Sequence, residues 1–417
     1  RKKMNIASFI ARKIFFSSSN SHRISKPITV FNIIGIAISF FVMFISISVV
    51  VGFKQEIRQK VTGFASDLVV NNYDANYSFE TKPINVTKED IEALQKINGI
   101  RNIQLFATKP GIIKAKTTLH GVVLKGVYKD YDWSFIQKNI LSGKPLVLSD
   151  TAKSNEIVIS KKMSQLLQLN VGDAVYLYFI QNPPRMRKLY ICGIYETMLE
   201  DFDNMFVFVD LRHVQKLNDW QTNQISGYEI NVQNFDSIND IKQHVFSVVG
   251  SRFQKDGTKL KVTTVMERYP YIFDWIGLFN TNLWVILVLM MIISGFNIIS
   301  GLLVLVLERI NMIGIFKAIG FFDSNIRKIF IYLSLIYILI GLALGNLLSF
   351  ALYFLQNKYH FAHLDKASYY IDYVPMKIEL WQVLSLNGAI VLITILFLLI
   401  PSTLISKIEP VKAIKFD

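Results

Sequence analysis

The chain has 417 residues, 52% of them hydrophobic, with 45 Lys or Arg against 31 Asp or Glu and a formal net charge of +14. The apolar residues are gathered into a few long runs instead of the short periodic stretches of a soluble domain, which argues against an ordinary soluble protein. The excess positive charge lies on short segments beside those runs, so membrane lipids, and no nucleic acid, are its expected partner.

In chain order, a basic segment 1–27 leads into an apolar run at 28–53. Further runs follow at 283–307, 329–355 and 383–405. Each is long enough as a helix to cross about 30 Å of hydrocarbon, and none holds a charged side chain. The first run is too long for a signal core and continues into charged helical sequence, so it reads as a permanent anchor. Segments 1–27, 308–328 and 406–417 together carry 14 basic and 4 acidic residues, whereas 53–280 carries 28 and 24 and the loop 356–380 carries three of each. Basic residues near span ends stay in the cytoplasm. Segments 1–27, 308–328 and 406–417 are therefore expected inside, and 54–282 and 356–382 outside.

The large segment 54–282 reads as mixed α/β. Strands are predicted at 67–72 and 100–107 around a helix at 88–97 that starts at Thr87, with Asp90 placed for a capping-box interaction. A second strand–helix–strand unit is predicted at 228–232, 237–249 and 260–265. Between them lie short strands at 121–127, 156–160, 174–179, 188–195 and 205–209, with helices at 161–168 and 211–217. The expectation is two subdomains, a strand-rich one at about 121–220 inserted in a βαβ-like one. Residues 266–282 read as a helix running directly into the second span.

Chemistry-bearing motifs are missing from the sequence. It has no phosphate-binding Gly-x-x-x-x-Gly-Lys-Ser/Thr loop, no His-Glu-x-x-His and a single cysteine, Cys192. His360 and His363, near Asp365, read as a solvated loop in preference to a metal site. No catalytic residue, metal or cofactor of its own is expected, and any energy the chain uses is expected to come from a partner.

The segment Glu308-Arg309-Ile310-Asn311-Met312-Ile313-Gly314-Ile315-Phe316-Lys317-Ala318-Ile319-Gly320 resembles the signature of the FtsX/MacB-type permease superfamily. The tail Ile408-Glu409-Pro410-Val411-Lys412-Ala413-Ile414-Lys415 is similar to that family's terminal motif. Within it, Gly52-Phe53-Lys54-Gln55-Glu56-Ile57-Arg58, Leu141-Ser142-Gly143-Lys144, Val171-Gly172-Asp173 and Gly193-Ile194-Tyr195-Glu196 with Asp203 resemble, in order, the lipoprotein-releasing LolC/LolE-type permeases. Asn311 and Met312 stand where the family carries a basic and an acidic residue.

The resemblance implies a bacterial inner-membrane protein with four transmembrane helices and a MacB-like periplasmic α/β domain between the first two. It implies a permease that pairs with a second copy or paralogue and with a LolD-like ATPase dimer, which binds ATP and Mg²⁺. Its substrate is then an acylated lipoprotein and its acceptor a LolA-like periplasmic carrier. Glu308, Arg309, Ile313, Gly314, Phe316, Lys317, Ala318 and Gly320 fall on the family's coupling helix, with Ile313, Phe316 and Ile319 read as an apolar knob. Asn182, Pro183, Pro184, Arg185 and Arg187 fall on its carrier-docking hairpin, here shortened. Phe40, Met43, Phe44, Met290 and Met291 are candidates for lining an acyl cavity. A MacB-like efflux permease and an FtsX-like regulator of cell-wall hydrolases are the competing readings. The strand-rich insert and the Gly52–Arg58 opening favour lipoprotein release over the first, and the outward domain of 228 residues (53–280), larger than is usual for the second, counts against it.

Overall fold

A computed structural model describes residues 6–16, 25–73, 78–115, 118–251 and 257–402. Among these, four helices are long and apolar enough to cross a membrane. They run Ser25–Ala65, Pro270–Glu308, Asp323–Tyr359 and Leu380–Ser402. The first three contain their apolar runs whole and the fourth covers 383–402 of its run, because in such a run only a helix satisfies every backbone N–H and C=O without water. The terminal motif at 408–415 lies outside the described residues.

The chain divides into two compact units. One comprises the described residues up to Lys54, Trp275–His363 and those from Tyr373 onward; the other comprises Gln55–Asp274 and Leu364–Asp372. In the helical unit, Ile36, Phe40, Met43 and Phe44 of the first span helix share a core with Leu302 and Val306 of the second, Phe330 and Leu342 of the third, and Leu386 and Leu398 of the fourth. Close approach is made possible by small residues. A Cβ on Gly341 would come within 2.8 Å of Ile36 Cβ, and one on Gly345 within 3.0 Å of the Ala37 carbonyl. A short amphipathic helix, Ile6–Phe16, not anticipated from the sequence, buries Ala7 and Ala11 and sets Phe15 5.7 Å from the Tyr337 ring.

The α/β unit is built on strands β1 (Leu68–Asn72), β2 (Ile84–Asn85), β3 (Ile100–Ala115), β4 (Thr118–Val127), β5 (Ile140–Gly143), β6 (Glu156–Ser160), β7 (Ala174–Phe179), β8 (Arg185–Tyr195), β9 (Phe206–Asp210), β10 (Gln224–Ile225), β11 (Gly227–Val232) and β12 (Leu260–Thr264). Ten of them form one sheet in the order β12-β1-β11-β3-β4-β9-β6-β8-β5, with β7 pairing β3 and β8. Only β4–β9 and β6–β8 are parallel. The strand-rich region expected as a separate insert at about 121–220 is thus continuous, through the sheet, with the rest of the unit. The join is β3. Its predicted end is at 107, yet the strand runs on through Pro110 and Gly111, paired with β4 and also with β7.

Thr87 caps its helix as read from the sequence, accepting from Asp90 N at 3.1 Å. A full reciprocal capping box forms elsewhere, between Thr264 and Glu267, and starts the short helix Val265–Arg268. That helix does not run into the second span as expected. It stops at Tyr269, whose φ of −126° and ψ of 56° are non-helical, and a new helix begins at Pro270. Proline disfavours the helical region for the residue before it and suits the first helical position itself.

Candidate functional site

The segment carrying the coupling signature is a helix, Ile310–Ala318, set off from the second span helix by Arg309. Gly320, at φ +90°, ends it, and Phe321 N returns to the Phe316 carbonyl at 2.9 Å. Its orientation differs from the expected knob. Ile313 is 0% exposed and Gly314 is buried, while Met312 and Phe316 pack against the core of the helical unit. Phe316 also stacks on Phe321 with ring centroids 5.3 Å apart. The apolar side chains left facing outward are Ile315, Ile319 at 70% exposure and Phe322 at 76%. Of the expected trio only Ile319 faces outward. Because the segment is apolar nearly all round, periodicity alone does not choose its inner face.

The charged members of the signature are partly engaged within the chain. Lys317 Nζ lies 3.0 Å from Asp323 Oδ1. Glu308 and Arg309 are half-buried at the junction, and Glu308 Oε1 has no hydrogen-bond partner among the described residues. Ala318 and Gly320 are exposed.

The hairpin residues lie on the β7–β8 turn, where Phe179 pairs with Arg185. The turn is five residues, 180–184, with a cis Asn182–Pro183 bond. Arg185 is not free to meet a partner: its guanidinium donates to the Lys216 and Leu217 carbonyls at 2.7 and 3.1 Å and pairs with Asp219 Oδ2 at 2.6 Å. It closes the C-terminus of the helix Leu211–Leu217, a structural task. Asn182, Pro183 and Pro184 remain at the exposed or half-exposed tip beside Ile180, while Arg187 is half-buried.

The acyl-cavity residues separate into two groups. Phe40, Met43 and Phe44 are fully buried by neighbouring helices of the same chain, so helix packing occupies the surfaces an acyl chain would need. Met290 and Met291 are partly exposed.

Burial pushes the Cys192 thiol up to about 12, so it stays protonated. His360 packs against Tyr373 with ring centroids 4.2 Å apart and the rings tilted by 56°.

Comparison with known families places this architecture. Residues 29–248 match the MacB-like periplasmic core domain and residues 284–410 the FtsX-like permease C-terminal family. The chain therefore belongs to the permeases that join a MacB-like periplasmic core domain to an FtsX-like C-terminal region. Over nearly its whole length it is similar to the lipoprotein-releasing system transmembrane proteins. It is 24% identical to LolC of Buchnera aphidicola, covering 90% of both chains, and 22% identical to LolE of Haemophilus influenzae, covering 92% of this chain and 93% of that one. LolC of Haemophilus influenzae is also 22% identical, over 99% of both. Among solved structures, the extracellular domain of the ABC-type transporter YknZ from Gram-positive bacteria covers 46% of this chain and 98% of its own at 16% identity and a TM-score of 0.34. The periplasmic region of MacB from Actinobacillus actinomycetemcomitans covers 49% and 91% at 12% identity and a TM-score of 0.34.

Proposed function

We propose that this chain is the membrane subunit of an ABC-type transporter that extracts acylated lipoproteins from the bacterial inner membrane and hands them to a periplasmic carrier. The observation that carries the reading is the full-length similarity to LolC and LolE, through both the core domain and the permease region. The charge asymmetry of the segments between spans supports a periplasmic α/β unit and a cytoplasmic 308–328 segment. Drawing an acyl chain into water costs about 0.8 kcal/mol per CH₂. A chain without a nucleotide-binding loop must take that energy from an ATPase partner. The outward-facing Ile315, Ile319 and Phe322 supply apolar anchors for such a partner.

The test is reconstitution. The chain is purified with its co-expressed ATPase and, where one exists, its paralogue, then placed in lipid nanodiscs with an acylated lipoprotein and a soluble carrier. ATP-dependent appearance of lipoprotein on the carrier is the expected result. Export of unacylated peptides with no lipoprotein transfer would replace this reading with an efflux permease.

A further inference from the structure

Within the α/β unit, one lysine holds two segments that are far apart in sequence. Lys60, on the charged continuation of the first span helix, donates from Nζ to the Tyr370 carbonyl at 2.9 Å and to the Thr197 carbonyl at 3.2 Å. The carboxylates of Glu56, Asp372 and Asp203 offset its charge.

The two acceptors differ in character. Thr197 belongs to a rigid turn. Its side chain is fully buried, and Asp203 accepts from Thr197 N at 3.0 Å, Thr197 Oγ1 at 2.7 Å and Met198 N at 3.1 Å. Tyr370 belongs to the loop between the third and fourth span helices, whose residues Leu364–Asp372 form part of the same compact unit as Gln55–Asp274. This strap folds on itself. Leu364 N meets the Asp372 carbonyl at 3.1 Å, Tyr370 N meets the Lys366 carbonyl at 3.0 Å, and Lys366 pairs with Asp372 at 3.6 Å. Among its described residues Ile371 is the one buried hydrophobic anchor, and Tyr370 sits at φ +61°, a strained conformation held in place by its surroundings.

So small a segment has little apolar area with which to hold itself to the sheet. One charge-assisted hydrogen bond from Lys60, stronger than a neutral one, reaches the strap at Tyr370, and a second reaches the turn at Thr197, so a single ammonium ties the two together. We propose that Lys60 is a positioning residue, a rivet that fastens the 364–372 strap to the Asp203-braced turn so that the third and fourth spans and the α/β unit move together during transport. The role rests on the transport reading above. Motion generated at the cytoplasmic segment then reaches the α/β unit through this strap as well as through the first two span helices.

The experiment compares the intact complex in nanodiscs with Lys60→Met and Lys60→Arg. Hydrogen exchange reads the rivet directly, whatever the chain transports. In Lys60→Met the amides of 364–372 are expected to exchange at least tenfold faster, with those of 197–203 unchanged. Lipoprotein released per ATP hydrolysed reads the coupling. It is expected to fall several-fold in Lys60→Met at an unchanged ATP hydrolysis rate, and to recover in Lys60→Arg, which restores a charged donor. Wild-type exchange in 364–372 of Lys60→Met overturns the rivet. Faster exchange with unchanged release per ATP overturns its coupling role. If the wild-type complex releases no lipoprotein, the transport reading fails while the exchange result still decides the rivet.

Discussion

Lys125 Nζ lies 2.7 Å from Glu229 Oε1 in the interior of the sheet, with the two side chains 4% and 3% exposed. The pair is the centre of a network. Lys125 also donates to the Phe64 carbonyl at 2.9 Å, and Glu229 accepts from Gln104, its cross-strand neighbour on β3, at 2.8 Å. Removing one member strands the other's charge, which is worth about 3–5 kcal/mol of destabilisation, whereas replacing both with apolar residues of similar volume is often close to neutral. Lys125→Met should therefore lower the thermal midpoint of the detergent-solubilised chain strongly, and Lys125→Met/Glu229→Leu should recover much of the loss. A double variant as unstable as the sum of the two singles would mean that Lys125 and Glu229 do not stabilise one another.

Burial raises Asp203 to about 6, against an ordinary value of 3.8, despite the Thr197 and Met198 donors that favour its ionised form. A carboxyl with a raised folded-state value binds its proton more tightly folded than unfolded. Its contribution to stability is fully present below about 3.8 and is lost as pH rises through about 6. From pH 7 to pH 5 it should add about 1 kcal/mol. Asp203→Asn keeps an acceptor in the turn and should flatten this part of the profile, read as the difference in thermal midpoint between the two pH values. An unchanged pH slope in Asp203→Asn would assign it to other groups, Asp67 foremost, which burial also raises to about 6.

The buried and the outward residues of the segment 310–322 make opposite predictions. Ile313→Ala leaves a cavity in the helical unit and should destabilise the chain by about 2–5 kcal/mol with little change in intrinsic affinity for the ATPase. Ile319→Ala and Phe322→Ala should leave stability intact and weaken ATPase binding roughly tenfold or more each, if they are anchors of about 2 kcal/mol. Thermal unfolding and titration of the ATPase onto nanodisc-held chain separate the two effects. Wild-type affinity in the double variant Ile319→Ala/Phe322→Ala would remove the docking assignment.

Gly341 and Gly345 meet the first span helix of the same chain, so their substitution should act on folding, with no subunit interface required. Gly341→Ile forces the third helix away from Ile36 and should reduce the yield of folded chain even when it is expressed alone. Gly388, where an added Cβ would meet nothing within 4 Å, should accept Ala without loss and serves as the control. Normal yield of monodisperse Gly341→Ile/Gly345→Ile would overturn the intrachain contact.

The span helices were legible because an uninterrupted apolar run has one backbone solution in lipid. Strands such as Glu156–Ser160 and Ala174–Phe179 were legible to the residue, the latter because Val175, Leu177 and Phe179 alternate with Tyr176 and Tyr178. The break at Tyr269 was written in the sequence as Pro270, but the helical pattern on either side outweighed it. The inward turn of Ile313 and Phe316 was not legible, since either face of that segment is apolar enough to bury. Nor were the tasks of Lys60 and Arg185. Each depends on backbone carbonyls from remote parts of the chain, and a carbonyl leaves no mark in the sequence that a lysine or arginine will find it.

The first span helix continues without a break for 41 residues, about 60 Å at 1.5 Å per residue and roughly twice the hydrocarbon thickness. The approach to the second is interrupted at Tyr269. A continuous rod transmits axial thrust and twist with little loss, while a jointed one yields to bending at the joint. The two helices that lead into the α/β unit therefore differ in stiffness, the first resisting bending along its length and the second able to bend at Tyr269. A single proline thereby decides where the second connection can bend.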